Sequence, residues 1–368
     1  MSKRLSLVLV SLVFLLGLVF GAIWHKLGLF PFPQNSRLMH AQAVWLSEIQ
    51  GHSDYLIPDS MAGHIHKPHA VRKREWKEHP NGSIKLVVNN LGFRKDVDTA
   101  TEKNSRTYRI LVTGDSHIDG VVNNSESFPN RLEVLLNSSH QRSSFEVLNG
   151  GTGFYGPHNY AGFLRKFLYL KPDMFIVVLY TGNDFIDGIR TAEIRHEVRI
   201  PERPERYARQ LQDANSQNSG VVSQALNQAY FLKFYPEFQA TAVDIANQQL
   251  LDIARICSSN DIELLVLTLP TKCDIPVSSR EATCESVSEK LSLTSEDAGV
   301  NKRMGRQLLA RLGSNGVRTL DPFDEMQRSR NPLYWQADYH LNHLGHNLLA
   351  KIVFDHLNTF FLSMEKAK

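Results

Sequence analysis

Ser116, Asp338 and His340 are the residues of this chain whose types and settings could carry nucleophilic chemistry. Ser116 stands in Gly114-Asp115-Ser116-His117, directly after the run Tyr108–Thr113 (YRILVT). A serine hydroxyl is a poor nucleophile until a base takes its proton, and histidine titrates in the right range to do so. His340 lies in Ala337–His346 (ADYHLNHLGH), with Asp338 two positions before it. In an extended turn those two side chains fall on one side. A carboxylate there would fix the imidazole tautomer and stabilise the imidazolium. The same letters also suit a helix amino terminus, with Asp or Asn as cap and His as bystander.

The elements that must position these residues alternate strand and helix. Tyr108–Thr113 has the Ile/Leu/Val composition of a buried parallel strand. Ser125–Leu136 reads as a helix, Phe145–Leu148 as a second strand and Asn159–Leu170 as a second helix. Met174–Tyr180 (MFIVVLY) is the most strand-like run, Ile262–Leu269 a fourth strand and Val317–Leu320 a fifth. Amphipathic helices are expected over Ala242–Ser258 and Leu344–Leu362. The pattern predicts a parallel sheet covered on both faces. All strand ends of one sense then lie along one edge, where such folds put their ligands.

Two further polar clusters follow strand ends. Asn149-Gly150-Gly151-Thr152-Gly153-Phe154-Tyr155-Gly156 would let main-chain N–H groups approach a ligand. It lacks the GK[ST] and the helix-opening GxGxxG of phosphate-cradling loops, which sets that use aside. Thr181-Gly182-Asn183-Asp184 ends the MFIVVLY strand. Ser116, the glycine loop and Asn183 are thereby expected on one side of the molecule.

Taken together, these blocks resemble the SGNH (GDSL-like) hydrolase superfamily over about residues 107–360, in motif order and spacing. GDS at 114–116 matches the first block and carries the nucleophile onto Ser116; the family's usual Leu is His117 here. The glycine loop matches the second block, whose backbone N–H contributes to an oxyanion hole, with Gly153 as the choice and Gly151 or the Phe154 N–H as alternatives. GND at 182–184 carries the oxyanion asparagine onto Asn183, and DYHLNHLGH carries the base onto His340. The commonest pattern puts the acid three residues before that histidine, where Ala337 stands; a D-x-H spacing makes Asp338 the acid. Asn90–Arg94 (NLGFR preceded by Asn89) is similar to a segment of membrane-anchored bacterial relatives. The resemblance implies a three-layer α/β/α sandwich, flavodoxin-like, with a five-stranded parallel sheet. It also implies acyl-ester chemistry through a Ser-His-Asp triad, without metal or cofactor, as esterase or O-acyltransferase. O-acetylated envelope carbohydrate or a lipid ester is the substrate class that exported relatives suggest.

The rest of the chain sets the context. Residues 1–26 read as a membrane anchor: Lys3 and Arg4 precede the uncharged run Leu5–Trp24. As a helix that run spans roughly 30 Å, the thickness of a bilayer core. With no small-x-small site straight after it, an uncleaved anchor is preferred to a cleaved signal. This implies a single pass through the inner (cytoplasmic) membrane, with the remainder exported to the periplasmic side. Residues 27–106 are expected to be a linker (FPFPQN) and a β-rich lead-in, with a hairpin between Val71–Glu78 and Ser83–Asn89 turning at Pro80-Asn81-Gly82. Tyr55–Pro80 is otherwise expected to be irregular. Residues 107–368 would be the hydrolase-like domain, with a charged, Gln- and Asn-rich excursion or mobile flap at Thr191–Gly220.

Composition excludes other classes. A 42% hydrophobic, 21% charged chain of 368 residues supports a sizeable core, and a net charge of +3 gives no footprint for nucleic acid. The basic stretch Lys67–Lys77 is broken by Pro68, Glu75 and Trp76. His64, His66 and His69, and likewise His340, His343 and His346, lack recognisable metal-ligand spacing. Three cysteines do not build a disulfide scaffold. In an exported domain, however, Cys273 and Cys284 could close the loop after the fourth strand, leaving Cys257 as a buried thiol. The competing possibility is a non-catalytic binding or assembly module of the same fold in the envelope.

Overall fold

The run Met174–Tyr180 is a strand buried at all seven of its positions, as an uncharged sequence covered on both faces must be. In the computed structural model, which describes residues 50–140, 144–275 and 282–367, it is the middle strand of a five-stranded parallel sheet. The anchor expected at residues 1–26, with its run Leu5–Trp24, lies outside the described residues. So does the linker that follows it. Among the described residues no helix is long and apolar enough to cross a membrane.

In chain order the strands are β1 (Leu56–Asp59), β2 (Gly63–His66), β3 (Val71–Glu75), β4 (Ser83–Val87), β5 (Thr107–Thr113), β6 (Ser144–Asn149), β7 (Met174–Tyr180), β8 (Glu263–Leu269) and β9 (Arg318–Leu320). The sheet order is β6-β5-β7-β8-β9, every pair parallel. All five expected strands form, each within about two residues of its expected bounds.

Alternate residues of β7 face two separate cores. Phe175, Val177 and Leu179 pack with Phe163 and Phe167 of the helix Pro157–Phe167 and with Leu250 and Ile253 of the helix Phe238–Ser258. Ile176, Val178 and Tyr180 pack with Phe128, Leu132 and Leu136 of the helix Phe128–Ser139, and with Leu349 and Val353 of the helix His343–Ala367. Two helical layers on one sheet make the α/β/α sandwich that the alternating pattern required.

Two expectations are corrected. Tyr55–Pro80 is not irregular: β1 pairs antiparallel with β2, and β3 with β4, the latter closing through Gly82 at φ +66°. The strand GHIH (β2) is hard to read because it buries His64, Ile65 and His66 together instead of alternating. Within the 191–220 stretch, expected as an excursion or mobile flap, Glu205–Val221 is a helix. Its polar letters hide Tyr207, Ala214 and Val221, which recur at helical spacing on one face and are buried. The lead-in from residue 50 and the sheet belong to one compact unit, Glu48–Lys368.

Candidate active site

β5 ends at Thr113, and Ser116 opens a single helical turn, Ser116–Asp119. Asp115 caps that turn by accepting the His117 N–H at 2.9 Å. Gly114 makes the sharp exit possible, since a Cβ there would stand 2.9 Å from the Val178 carbonyl oxygen and 2.5 Å from Ile118 Cγ1. No alanine fits between them. Ser116 is left half-buried at the rim of the sheet.

His340 reaches Ser116 from 224 residues away, its Nε2 accepting the Ser116 hydroxyl at 2.8 Å. Its Nδ1 donates to Asp338 Oδ2 at 3.1 Å. The other carboxylate oxygen of Asp338 accepts the His340 backbone N–H, also at 3.1 Å. This closes a tight turn around Tyr339, which takes a left-handed conformation at φ +64°. The D-x-H spacing therefore brings carboxylate and imidazole together, and Ala337 leaves no competing acid. Burial alone would lower the His340 pKa, but the hydrogen bond and charge of Asp338 outweigh it and the pKa is raised.

The sheet order β6-β5-β7 puts the glycine loop on one side of Ser116 and Asn183 on the other. The loop lies flat on the Ser116 turn: a Cβ on Gly151 would be 2.5 Å from the Ile118 carbonyl carbon. Most of its N–H groups are committed. Gly150 donates to Val112, Thr152 to Gly114, Tyr155 to Thr152, Gly151 to Asn149 Oδ1 and Gly156 to Asn159 Oδ1. Among the described residues, Gly153 and Phe154 have no acceptor for theirs. Of the loop positions considered from sequence, Gly151 thus has its N–H committed, while Gly153 and Phe154 do not. Asn183 caps the helix Asp184–Ile194 at its backbone, and no hydrogen bond within the described residues takes its side-chain amide N–H.

Several further residues surround Ser116, His340 and Asp338. His117 is fully buried, stacked on Tyr180 with ring centroids 3.7 Å apart, and 4.7 Å from the His340 ring. Burial, with the neighbouring His340, holds its pKa well below the ordinary value, so it is neutral. Asp115 and Asp184 are both buried, and Asp115 Oδ2 and Asp184 Oδ1 have no hydrogen-bond partner among the described residues. Burial pushes the Asp115 carboxyl up to about 7 and, with the nearby Asp115, lifts Asp184 well above the carboxylate range. Asp119, three residues after Ser116, receives Tyr55 Oη at 3.1 Å and Arg94 Nη1 at 2.9 Å, and His66 Nε2 lies 3.2 Å away. Burial opposes its ionisation, yet His66 and Arg94 prevail and hold the carboxyl well below its usual range. The NNLGFR segment turns through Gly92 at φ +90° to deliver Arg94, which is fully buried.

Among the described residues, the histidine-rich stretches bring together no group of three or more His, Cys, Asp or Glu side chains placed to hold an ion. His346 instead accepts the Phe128 N–H at 3.1 Å, and His343 packs on Trp335. Cys273 and Cys284 form a disulfide beside the site, and Cys257 is buried, its thiol pushed up to about 12 by burial.

No family model matches the chain, and no curated protein matches it. Solved structures do. A GDSL-like lipase from Bacteroides thetaiotaomicron is 9% identical, over 68% of this chain and 88% of that one, with a TM-score of 0.36. A catalytic mutant of an acetylxylan esterase from Geobacillus stearothermophilus is 11% identical, over 67% and 93%, at 0.41. Another acetyl xylan esterase is 16% identical, over 68% and 99%, at 0.37. The solved structures this chain is similar to thus include a GDSL-like lipase and acetylxylan esterases.

Proposed function

We propose that this chain is a serine esterase of the SGNH type that cleaves, or transfers, an acyl ester. The observation that carries this is the continuous chain Ser116 Oγ–His340–Asp338, at 2.8 and 3.1 Å. Ser116 attacks the ester carbonyl while His340 takes its proton, and Asp338 stabilises the imidazolium that forms. The developing oxyanion is held by the Ser116 N–H, by the uncommitted N–H of Gly153 or Phe154, and by the Asn183 side-chain amide. His340 then returns its proton to the leaving alcohol. Water, or an acceptor hydroxyl, resolves the acyl-enzyme with His340 again as base, and the nature of that acceptor separates esterase from acyltransferase.

The substrate class we propose is an O-acetyl group on envelope carbohydrate, or a lipid ester. Its setting would be the outer side of the inner membrane, on an anchor formed by Leu5–Trp24. Support comes from the basic pair Lys3 and Arg4 before that run, and from the Cys273–Cys284 disulfide, which suits an oxidising compartment. The test is labelling of the full chain by a serine-directed fluorophosphonate, beside Ser116→Ala and His340→Ala. Labelling lost in both variants is expected. A folded wild type that does not label would favour a binding module instead.

A further inference from the structure

The residues before β5 read as a lead-in, yet their two hairpins end on the loops that carry the triad and the glycine cluster. Glu78, in the β3–β4 connection, accepts two consecutive backbone N–H groups: Gln336 to Oε2 and Ala337 to Oε1, both at 2.6 Å. Asp338 is the next residue. The same connection packs Trp76 against Trp335, ring centroids 6.2 Å apart. On the other hairpin, His64 of β2 is buried and its Nε2 lies 2.7 Å from the Gly153 carbonyl oxygen. Burial lowers its pKa to about 4, so the ring is neutral and meets that oxygen as an N–H donor. Tyr155 Oη binds the His64 carbonyl at 2.5 Å, and the two rings stack edge to face at 4.9 Å.

What these contacts fix is specific. A carbonyl and the following N–H share one peptide plane and point in opposite directions. Holding the Gly153 oxygen therefore sets the direction of the Phe154 N–H, one of the two uncommitted donors of the loop. Phe154 sits at φ +66°, a conformation a non-glycine residue keeps only when its surroundings impose it. A carboxylate on two consecutive N–H groups likewise pins the backbone that leads into the Asp338 turn. Neither contact closes an element of the sheet or joins its two cores, so ordinary fold maintenance does not account for them.

Resting on the esterase reading above, we infer that the two lead-in hairpins are positioning elements of the site. Glu78 holds the acid–base loop, and His64 holds the oxyanion loop. His340 is faced by Asp338 on its own loop, by Asp115, His117 and Asp119 around the end of β5, and by His346 from the last helix. Glu78 meets this loop at the backbone N–H groups of Gln336 and Ala337, so its influence runs through the backbone.

The experiment uses the full chain as wild type, Glu78→Ala, Glu78→Asp, His64→Ala and His64→Gln, read by p-nitrophenyl acetate hydrolysis, thermal unfolding and the downfield proton NMR signal of His340 Nδ1–H. Glu78→Ala is expected to lower kcat about ten- to a hundredfold with KM little changed, and to broaden the His340 signal. The shorter carboxylate in Glu78→Asp recovers part of both. His64→Ala is expected to lower kcat similarly while leaving the His340 signal sharp. His64→Gln, which restores an N–H donor, recovers activity. Unchanged kcat and an unchanged His340 signal in both alanine variants overturn the inference. So does a loss that follows the melting temperature alone. A wild type no more active than Ser116→Ala sinks the esterase reading instead, and the His340 signal in Glu78→Ala then decides the positioning role by itself.

Discussion

His117 Nδ1 accepts the Leu341 N–H at 3.3 Å, so the residue beside Ser116 holds the residue beside His340. With that nitrogen accepting, the proton of the neutral ring is on Nε2, which donates to Gln224 Oε1 at 3.3 Å. Replacing His117 by Leu, the residue usual in the family it resembles, keeps the bulk but strands a buried N–H. The expected cost is about 1–3 kcal/mol of stability. Because His340 loses the ring that lies 4.7 Å from its own, kcat should fall with little change in KM. Thermal unfolding and ester kinetics on His117→Leu check both; an unaltered melting point would remove His117 from this account.

Asp338 raises the His340 pKa, which gives Asp338→Asn a signed pH effect. Ester cleavage needs the neutral imidazole, so activity is lost as pH falls through the His340 pKa. Without the carboxylate that pKa drops, and the acid limb of kcat/KM moves to lower pH. The plateau should fall on the order of a thousandfold or more, because the tautomer is no longer fixed. A pH–rate profile that stays in place would show another acid in use.

Asn183→Ala tests the oxyanion assignment separately from the triad. Losing one such donor typically lowers kcat about 10²- to 10³-fold. The Ser116–His340 hydrogen bond and the fold should survive, since the helix Asp184–Ile194 is capped at this residue by backbone alone. Retention of full kcat would move the donor elsewhere.

The buried Asp115 and Asp184 predict how stability depends on pH. Both carboxyls have folded pKa values above the unfolded value near 4. The folded state therefore binds the extra protons, and the contribution of these two groups to stability is full below pH 4 and declines as pH rises through about 7. Asp184→Asn removes one titrating carboxyl while keeping an acceptor for Tyr160 Oη and the Tyr180 N–H, which bind Asp184 Oδ2 at 2.7 and 2.9 Å. Thermal unfolding from pH 4 to 8 should show a flatter decline in the variant. A steeper one contradicts the assignment.

Serine in place of both Cys273 and Cys284 should destabilise the protein by about 2–4 kcal/mol, through the loop that the disulfide closes. Lys272, next to that disulfide, donates to Gln336 Oε1 at 2.7 Å. Fluorophosphonate labelling should therefore slow along with the fall in melting temperature. Equal melting temperatures in oxidised wild type and the double variant would contradict the contribution.

Ser116, Asn183 and His340 were legible as candidates in the sequence because each sits in a short polar block directly after an apolar strand or beside a helix start, and strand periodicity survives in linear text. The five strands of the sheet were legible for the same reason: burial on both faces leaves near-continuous apolar runs such as MFIVVLY. The helix Glu205–Val221 was not, because only three of its positions are buried and most of the others are exposed polar residues. Asp338 stood as a candidate acid, but its pairing required the left-handed turn at Tyr339, which no letter announces.

What tertiary structure alone decided is which groups meet at long range. Glu78 and Ala337 are 259 positions apart, and His64 and Gly153 are 89 apart. Neither contact leaves a local pattern, since a carboxylate accepting backbone N–H groups or a histidine donating to a carbonyl needs no particular neighbours in sequence. The order β6-β5-β7 likewise set the glycine loop and Asn183 on opposite sides of Ser116. Local sequence thus determined the elements and the reactive types. Their convergence came from packing, because sheet order and the hairpins laid against it are properties of the whole chain.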